Sequence, residues 1–390
     1  MKRVALTVIL LALALVPACG RAEAPSSEPC GAPFAIEGAE HLAFLRCIHP
    51  APLRGAFHVE WLAAAETTLV ARFDGWVEGE ALGRDGPVLL WVDRAGATIA
   101  QTAVPKEVVR HVTREGRALL FVAKSAEQWR ALLVDPEGKL VHEEELPAGA
   151  VGAVSPLGGA APGFVALVRP AREKGDSGFV VRFGEDGTVR ARTPHHFLQD
   201  QVAGSDLAVD ARGDVFVRTA TTAAEGLSTI RYDANGVATP LASPEFGGIA
   251  DARDGFVVLP WSTKACPPQQ IWSQRIASVD AQGQPRASRC FDKSFAADVA
   301  QHVIGSPRGI TWVAIARTET DGPSTIEVLA LNEHFEPTRR VQLRIDGFVY
   351  PLKRATFDNG DLALAFELVP GIPRNETERR MVLLRVRAPR

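Results

Sequence analysis

An all-β fold of repeated four-stranded antiparallel units is what this chain predicts, and three observations predict it. The first is a recurring D-x-x-G-like hairpin turn, ending at Gly96, Gly138, Gly187, Gly236 and Gly283. The second is the spacing of those glycines, 42, 49, 49 and 47 residues. The third is an interleaved series of Gly-containing turns, each followed by a dense apolar strand, as in 115–123, 161–168, 211–219, 252–261, 306–316 and 358–368. Two hairpins per repeat make four strands. Four-stranded units recurring at about 48 residues are the sequence signature of a β-propeller.

The turn chemistry explains why each copy is a hairpin. A type I turn followed by a residue in the left-handed region closes a short loop. Asp at its first position accepts local backbone N–H groups, and Gly supplies positive φ without a Cβ clash. Pro136 sits where type I turns favour proline. A sixth copy, from Glu327, keeps the pattern but carries Phe335 where Gly is expected. The second series is apolar on both faces, as a strand buried between neighbouring sheets must be.

Seven copies follow, at 57–100, 106–145, 150–192, 202–240, 247–290, 300–343 and 350–390. The last has strands at 350–357, 361–368 and 379–388 and lacks a fourth. The segment His41 to Ile48 is the expected donor, closing the ring and removing two open sheet edges. The copy from Ser205 to Pro240, with Ala208-Val209-Asp210 and then Tyr232-Asp233, resembles the bacterial β-propeller repeat family. That resemblance implies the fold and no particular activity. The expected organisation is one propeller domain over 31–390.

The N-terminus reads as an export address. Lys2 and Arg3 precede an apolar run from Val4 to Val16, too short for a bilayer span of about 20 residues. Val16-Pro17-Ala18-Cys19 resembles the lipobox of bacterial lipoproteins. By that resemblance 1–18 is a signal peptide, Cys19 carries lipid, and 19–30 is a flexible tether. Val16 and Ala18 also satisfy an ordinary signal-peptidase site, and Pro17 departs from the usual lipobox. Cysteine arithmetic favours lipidation: with Cys19 lipidated, Cys30, Cys47, Cys266 and Cys290 remain and can pair. In the repeat register, Cys266 and Cys290 end on one face of the fifth copy, so they pair and leave Cys30 for Cys47. The alternative is that Cys266 or Cys290 is a buried free thiol. Gly20 after Cys19 implies, by resemblance to Gram-negative lipoproteins, an outer-membrane location.

Charge narrows the partners. The chain carries 43 basic and 46 acidic residues, and 41 against 46 once Lys2 and Arg3 are removed. The charges are mixed along the chain, so nothing suggests nucleic acid. No pattern calls for a cofactor or metal. The expected partners are the membrane itself through the lipid, and an envelope protein or polysaccharide.

Propeller topology sorts the loops onto two faces. The tight Gly turns occupy one and are expected to leave little room for a site. The long polar loops, from Phe73, Arg169, Pro260, Arg317 and Val369, occupy the other and are the expected ligand face. On it the candidate binding residues are His195 and His196, read as a loop pair between the third and fourth copies, and Trp261 and Trp272, whose rings can stack on a sugar or peptide. Each has a plain alternative: solvent-exposed loop histidines, and strand-end core tryptophans. Trp91, Trp129 and Trp312 fall in strand patterns and are expected in the core. His142-Glu143 is not a zinc-protease motif, and the Gly-rich stretch from Gly158 lacks the lysine and helix of a phosphate loop. The expected function is therefore a membrane-anchored lipoprotein that binds a protein or polymer. The rival is a propeller hydrolase or lyase acting on a glycan, and no residues are assigned to catalysis.

Overall fold

The computed structural model describes residues 36–48, 56–64, 69–76, 88–93, 95–103, 108–125, 128–146, 149–169, 177–196, 205–219, 228–241, 247–260, 275–291, 303–306, 308–317, 323–370 and 380–389. Cys19, Cys30, Cys266, Trp261, Trp272 and most of each long loop lie outside them.

The chain enters through two short N-terminal strands, β1 (Ile36–Glu37) and β2 (Leu42–Ile48). Sheet one follows with β3 (Ala56–Ala64), β4 (Leu69–Trp76), β5 (Val88–Val92) and β6 (Thr98–Ala103). Sheet two holds β7 (Val108–Arg114), β8 (Arg117–Ala123), β9 (Trp129–Val134) and β10 (Leu140–Glu145). Sheet three holds β11 (Ala150–Leu157), β12 (Gly163–Arg169), β13 (Ser177–Gly184) and β14 (Val189–His196). Sheet four holds β15 (Ser205–Val209), β16 (Val215–Thr219), β17 (Ser228–Tyr232) and β18 (Ala238–Leu241). Sheet five holds β19 (Gly247–Asp251), β20 (Phe256–Pro260), β21 (Arg275–Val279) and β22 (Pro285–Cys290). Sheet six holds β23 (Val303–Gly305), β24 (Thr311–Arg317), β25 (Ser324–Leu331) and β26 (Pro337–Ile345). Sheet seven holds β27 (Gly347–Thr356), β28 (Leu362–Pro370) and β29 (Arg380–Val386).

Each sheet is an antiparallel meander in chain order, and β2 occupies the outer edge of sheet seven beside β29. The first strands touch in sequence, β3 to β7, β11, β15, β19, β23 and β27, and β27 touches β3 again. Burial falls from the middle of a sheet outward. In β8 and β12 the residues between the strand ends are buried on both faces, whereas outer strands such as β10 and β22 are largely exposed. The hydrophobic clusters lie between neighbouring sheets. Phe121 and Phe183 meet edge-on between sheets two and three, and Phe216 meets Phe256 between sheets four and five.

The N-terminal segment does more than the sequence predicts. Ile36 and Glu37 pair with Ile345 and Arg344, so β1 adds a fifth strand to sheet six. The chain then crosses to sheet seven. Ile36 packs on the cluster that sheets six and seven share, which is why the segment is drawn to both edges.

The turns follow the expected chemistry in detail. Asp93, Asp135, Asp233 and Asp280 each accept two backbone N–H groups of their own turn on Oδ1. Asn332 does the same in sheet six. That turn ends in Phe335, at φ 60° and 1% exposed. A side chain in this conformation is strained. The ring repays it by packing against the cluster of Val257, Leu331 and Phe291 between sheets five and six.

Neighbouring sheets are joined by a repeated device. Trp91 Nε1 of sheet one donates to the Gly116 carbonyl of sheet two at 2.8 Å. Arg182 of sheet three donates to the Gly213 carbonyl of sheet four at 3.1 Å. Trp312 Nε1 of sheet six donates to the Gly360 carbonyl of sheet seven at 2.8 Å. Trp312 and Gly360 are both buried, so a carbonyl left without its donor is desolvated and unpaired. Trp312→Phe is expected to lower unfolding stability by about 1–3 kcal/mol for that reason, read as a lower urea midpoint with an unchanged denaturant slope. A midpoint equal to wild type would show the bond contributes nothing.

Candidate functional site

The first strands pack on one another, so the turns that end them converge. A cavity of about 320 Å³ opens there, lined by Arg114, Gly158, Asp210, Asp251, Arg308 and Asp358 among others, one from each of sheets two to seven. A second cavity of about 540 Å³ lies beside it, lined by Arg212, Arg253, Asp254, Arg286, Ser306 and Phe335 among others. Both lie on the tight-turn face. The expectation was that short turns leave little room, but the space comes from the gaps between turns of neighbouring sheets, not from loop length. The long-loop face lies mostly outside the described residues.

Two carboxylates organise the opening. Asp210 has a fully buried side chain whose Oδ1 caps its own turn through the N–H groups of Arg212 and Asp214, each at 3.0 Å. Its Oδ2 takes Arg212 Nη2 at 2.8 Å. Asp251 ends β19, where it accepts the Val209 N–H of the neighbouring sheet at 2.8 Å and bonds the Ser155 hydroxyl. Burial pushes its carboxyl up to about 6, against the lowering effect of those two bonds. A carboxylic acid near neutrality beside a cavity is a candidate for proton transfer or ligand contact.

Ion pairs extend from Asp210 into the second cavity. Arg212 Nη2 also reaches Asp254 Oδ1 at 2.7 Å, and Asp254 Oδ2 holds Arg286 Nη2 at 2.5 Å. Arg231 pairs with Asp214 at 2.7 Å. One carboxylate thus clamps guanidinium groups from sheets four and five.

His195 and His196 are not in a loop. They are the last two residues of β14, which pairs with β13 as far as His196 with Ser177. The strand survives Pro194 because it is an edge strand, where a missing N–H can face outward. Alternation along β14 then turns His195 inward, fully buried, and leaves His196 exposed. His195 Nδ1 shares a 2.6 Å hydrogen bond with the Tyr232 hydroxyl of sheet four. Burial, then the nearby His196 charge, lowers the His195 imidazole to about 4, and burial raises Tyr232 to about 12. The pair is an inter-sheet contact with no path to solvent from His195. Trp91, Trp129 and Trp312 are core residues, as expected. Among the described residues no group of three or more His, Cys, Asp or Glu is arranged to hold a metal.

No family model matches the chain, and no characterised protein matches its sequence. Solved structures match its architecture. One, from a study of two prolyl endopeptidases, aligns with a TM-score of 0.52 and 14% identity over 80% of this chain, but only 47% of that one. The polysaccharide lyase Uly1 aligns with a TM-score of 0.50 and 7% identity, over 87% of this chain and 91% of that one. The Dos1 propeller aligns with a TM-score of 0.44 and 8% identity, over 89% and 97%. The chain is a β-propeller. At these identities the likeness concerns fold alone.

Two pH dependences with opposite signs follow from the buried groups. His195, lowered from 6.5 to about 4, stabilises the fold above its unfolded value, and this is lost as pH falls through that window. The full effect is about 3 kcal/mol. Asp251, raised from 3.8 to about 6, stabilises the fold below 3.8, and this is lost as pH rises through 6. Its full effect is also about 3 kcal/mol. Between pH 4 and 6 the two oppose each other.

Asp251→Asn should therefore raise the urea midpoint at pH 7.5, roughly by what a shift of that size implies, and steepen the loss of stability toward acid. A midpoint at pH 7.5 at or below wild type would contradict the buried-carboxylate account. His195→Gln should instead flatten the acid limb, and a midpoint that still falls as steeply from pH 6.5 to 4 would assign the acid lability elsewhere.

Proposed function

We propose that the protein is a lipid-anchored lipoprotein of the outer membrane whose propeller binds an envelope protein or polymer. The seven sheets act as blades of one closed ring, with β2 as the strand that completes the seventh. The return of first-strand contacts from β27 to β3, and the pairing of β2 with β29, support this closure. The observation that carries the binding reading is the opening on the tight-turn face, where six sheets supply charged or small residues around one cavity. Rigid strands hold those residues, so a ligand meets a preformed surface.

The anchor and the cysteines belong to the same proposal. Cys19 carries the lipid, and residues 19–30 tether the ring. Cys30 pairs with Cys47, and Cys266 with Cys290. The bonded state of Cys47 and of Cys290 supports this pairing. A bridge at Cys47 fastens β2, the closing strand, to the tether.

One observation favours a second reading, a propeller hydrolase or lyase acting on a glycan. Asp251, with its carboxyl near 6, has the protonation behaviour that acid–base chemistry at neutral pH requires. The two readings separate cleanly. If the binding reading is correct, the wild type captures a partner and turns over no envelope glycan. If the enzyme reading is correct, turnover of envelope glycan by the wild type disappears in Asp251→Asn.

The main test is capture of the anchored protein from crosslinked envelopes, with Cys19→Ala as the comparison. The wild type should sediment with the outer membrane and recover one dominant partner. Cys19→Ala should move to the soluble periplasm. An unchanged distribution, with no fatty acid on the wild type, would overturn the anchor. Deleting 31–50 should lower the melting temperature or cause aggregation, because it opens two sheet edges, and a truncated protein as stable as its parent would overturn the closure.

A further inference from the structure

The turns after the first strands of sheets four, five and six, three consecutive sheets, share one feature. Each places an arginine at its tip: Arg212 before Gly213, Arg253 before Asp254 and Gly255, and Arg308 before Gly309. All three are exposed. The corresponding tips of sheets two and seven carry Glu115 and Asn359. The arginines therefore form an arc over three consecutive sheets, one per sheet, between the two cavities.

The arc is held, not loose. Asp210 and Asp254 clamp Arg212. Arg308 Nε is fixed by the Asp358 carbonyl of sheet seven at 2.9 Å, which leaves its other guanidinium N–H groups for a ligand. Arg253 lies along Gly309, where a side chain at that glycine would begin at 3.6 Å from it. Arg253 and Arg308 form no ion pair among the described residues. Beside them the 540 Å³ cavity also presents Asp254, Glu333 and the hydroxyls of Ser278 and Thr311. Its size is that of a small-ligand site.

We infer that this arc binds an acidic polysaccharide, one carrying a carboxylate on its sugar units. The inference rests on the polymer form of the proposed function and names the chemistry of that polymer. A periodic row of cations fits a polymer with a periodic anion. Guanidinium groups bind carboxylates through paired N–H bonds. Asp254 and Glu333 decide between kinds of polyanion. They disfavour closely spaced carboxylates, and they accept hydrogen bonds from the several hydroxyls that each sugar offers between its carboxylates. Hydroxyls both donate and accept, and so match a lining in which arginine, carboxylate and serine alternate.

The test is titration calorimetry of the full mature protein with three probes: an oligogalacturonate, a neutral malto-oligosaccharide of equal length and poly-glutamate. Oligogalacturonate should bind saturably and weaken with added salt. Arg253→Gln and Arg308→Gln should each weaken it about tenfold, the usual loss for one charge-assisted contact, and Arg253→Gln, whose side chain forms no inter-sheet hydrogen bond among the described residues, should do so with an unchanged melting temperature. The inference is overturned by equal binding of the neutral sugar, by tighter binding of poly-glutamate, by variants that bind like wild type, or by no saturable binding of oligogalacturonate. None of these results touches capture of a protein partner, so the failure of this inference and of the wider binding reading are distinguishable.

Discussion

A side chain of one sheet reaching a turn carbonyl of the next is the contact on which this architecture depends. Left-handed turn residues point their carbonyls away from their own hairpin, where no ladder partner exists. Burying such a carbonyl without a donor costs about 1–3 kcal/mol. The chain supplies the donor from the preceding sheet. Trp91, Arg182 and Trp312 serve turns after first strands. Arg46 and Arg289 serve Gly96 and Phe335 in the outer hairpins. Arg117 reaches the Glu185 carbonyl in the same way. Between sheets four and five the link is the Arg212–Asp254 ion pair and the Ala211 N–H bond to the Arg253 carbonyl. Apolar packing between sheets is non-directional and tolerates sliding. These bonds are directional, so they set how each sheet is placed against its neighbour.

The same constraint fixes the residues at the turn face. A short hairpin is rigid when its first residue caps it and its last carbonyl is tied to a neighbour. Residues at the tips then inherit fixed positions without a long loop to order. The positions of Arg212, Arg253 and Arg308 follow from the turns that carry them, and Asp251 of sheet five is held because Val209 of sheet four and Ser155 of sheet three bond it. The cost is visible at Asp251, whose ionised form is disfavoured by burial at neutral pH.

Much of the fold was legible because hairpin chemistry is local. Asp93, Asp135, Asp233 and Asp280 announce their turns within four residues, and the apolar runs between them have no other stable use. Even Phe335 kept its turn, since Asn332 supplied the capping oxygen that Asp supplies elsewhere. What was not legible depends on distance. Nothing near Ile36 says that it will pair with Ile345. His195 reads as a loop residue because it lies past the third copy, which the repeat pattern ends at 192, whereas the strand runs on through Pro194 to His196 as an edge strand. The opening on the turn face was not anticipated for a related reason. Loop length is visible in a sequence, whereas the gap between two short turns from different sheets is not. A signal was present all the same: an arginine just before the turn glycine in the fourth and sixth repeats, and one residue earlier in the fifth.

Sheet six shows how a repeat is bent toward a purpose. Its outer hairpin gives up the glycine that the other turns of this kind share, accepting a left-handed phenylalanine that costs of order 1–3 kcal/mol in strain. The ring closes the inner side of the 540 Å³ cavity and packs between sheets five and six. Its carbonyl, still turned outward, takes Arg289 from sheet five at 2.9 Å. A glycine there would keep the hydrogen bond and relieve the strain but remove the ring from the cluster between sheets five and six. The departure from the repeat therefore puts one apolar ring both in the core between sheets five and six and in the wall of the 540 Å³ cavity, beside the turns that carry Arg253 and Arg308.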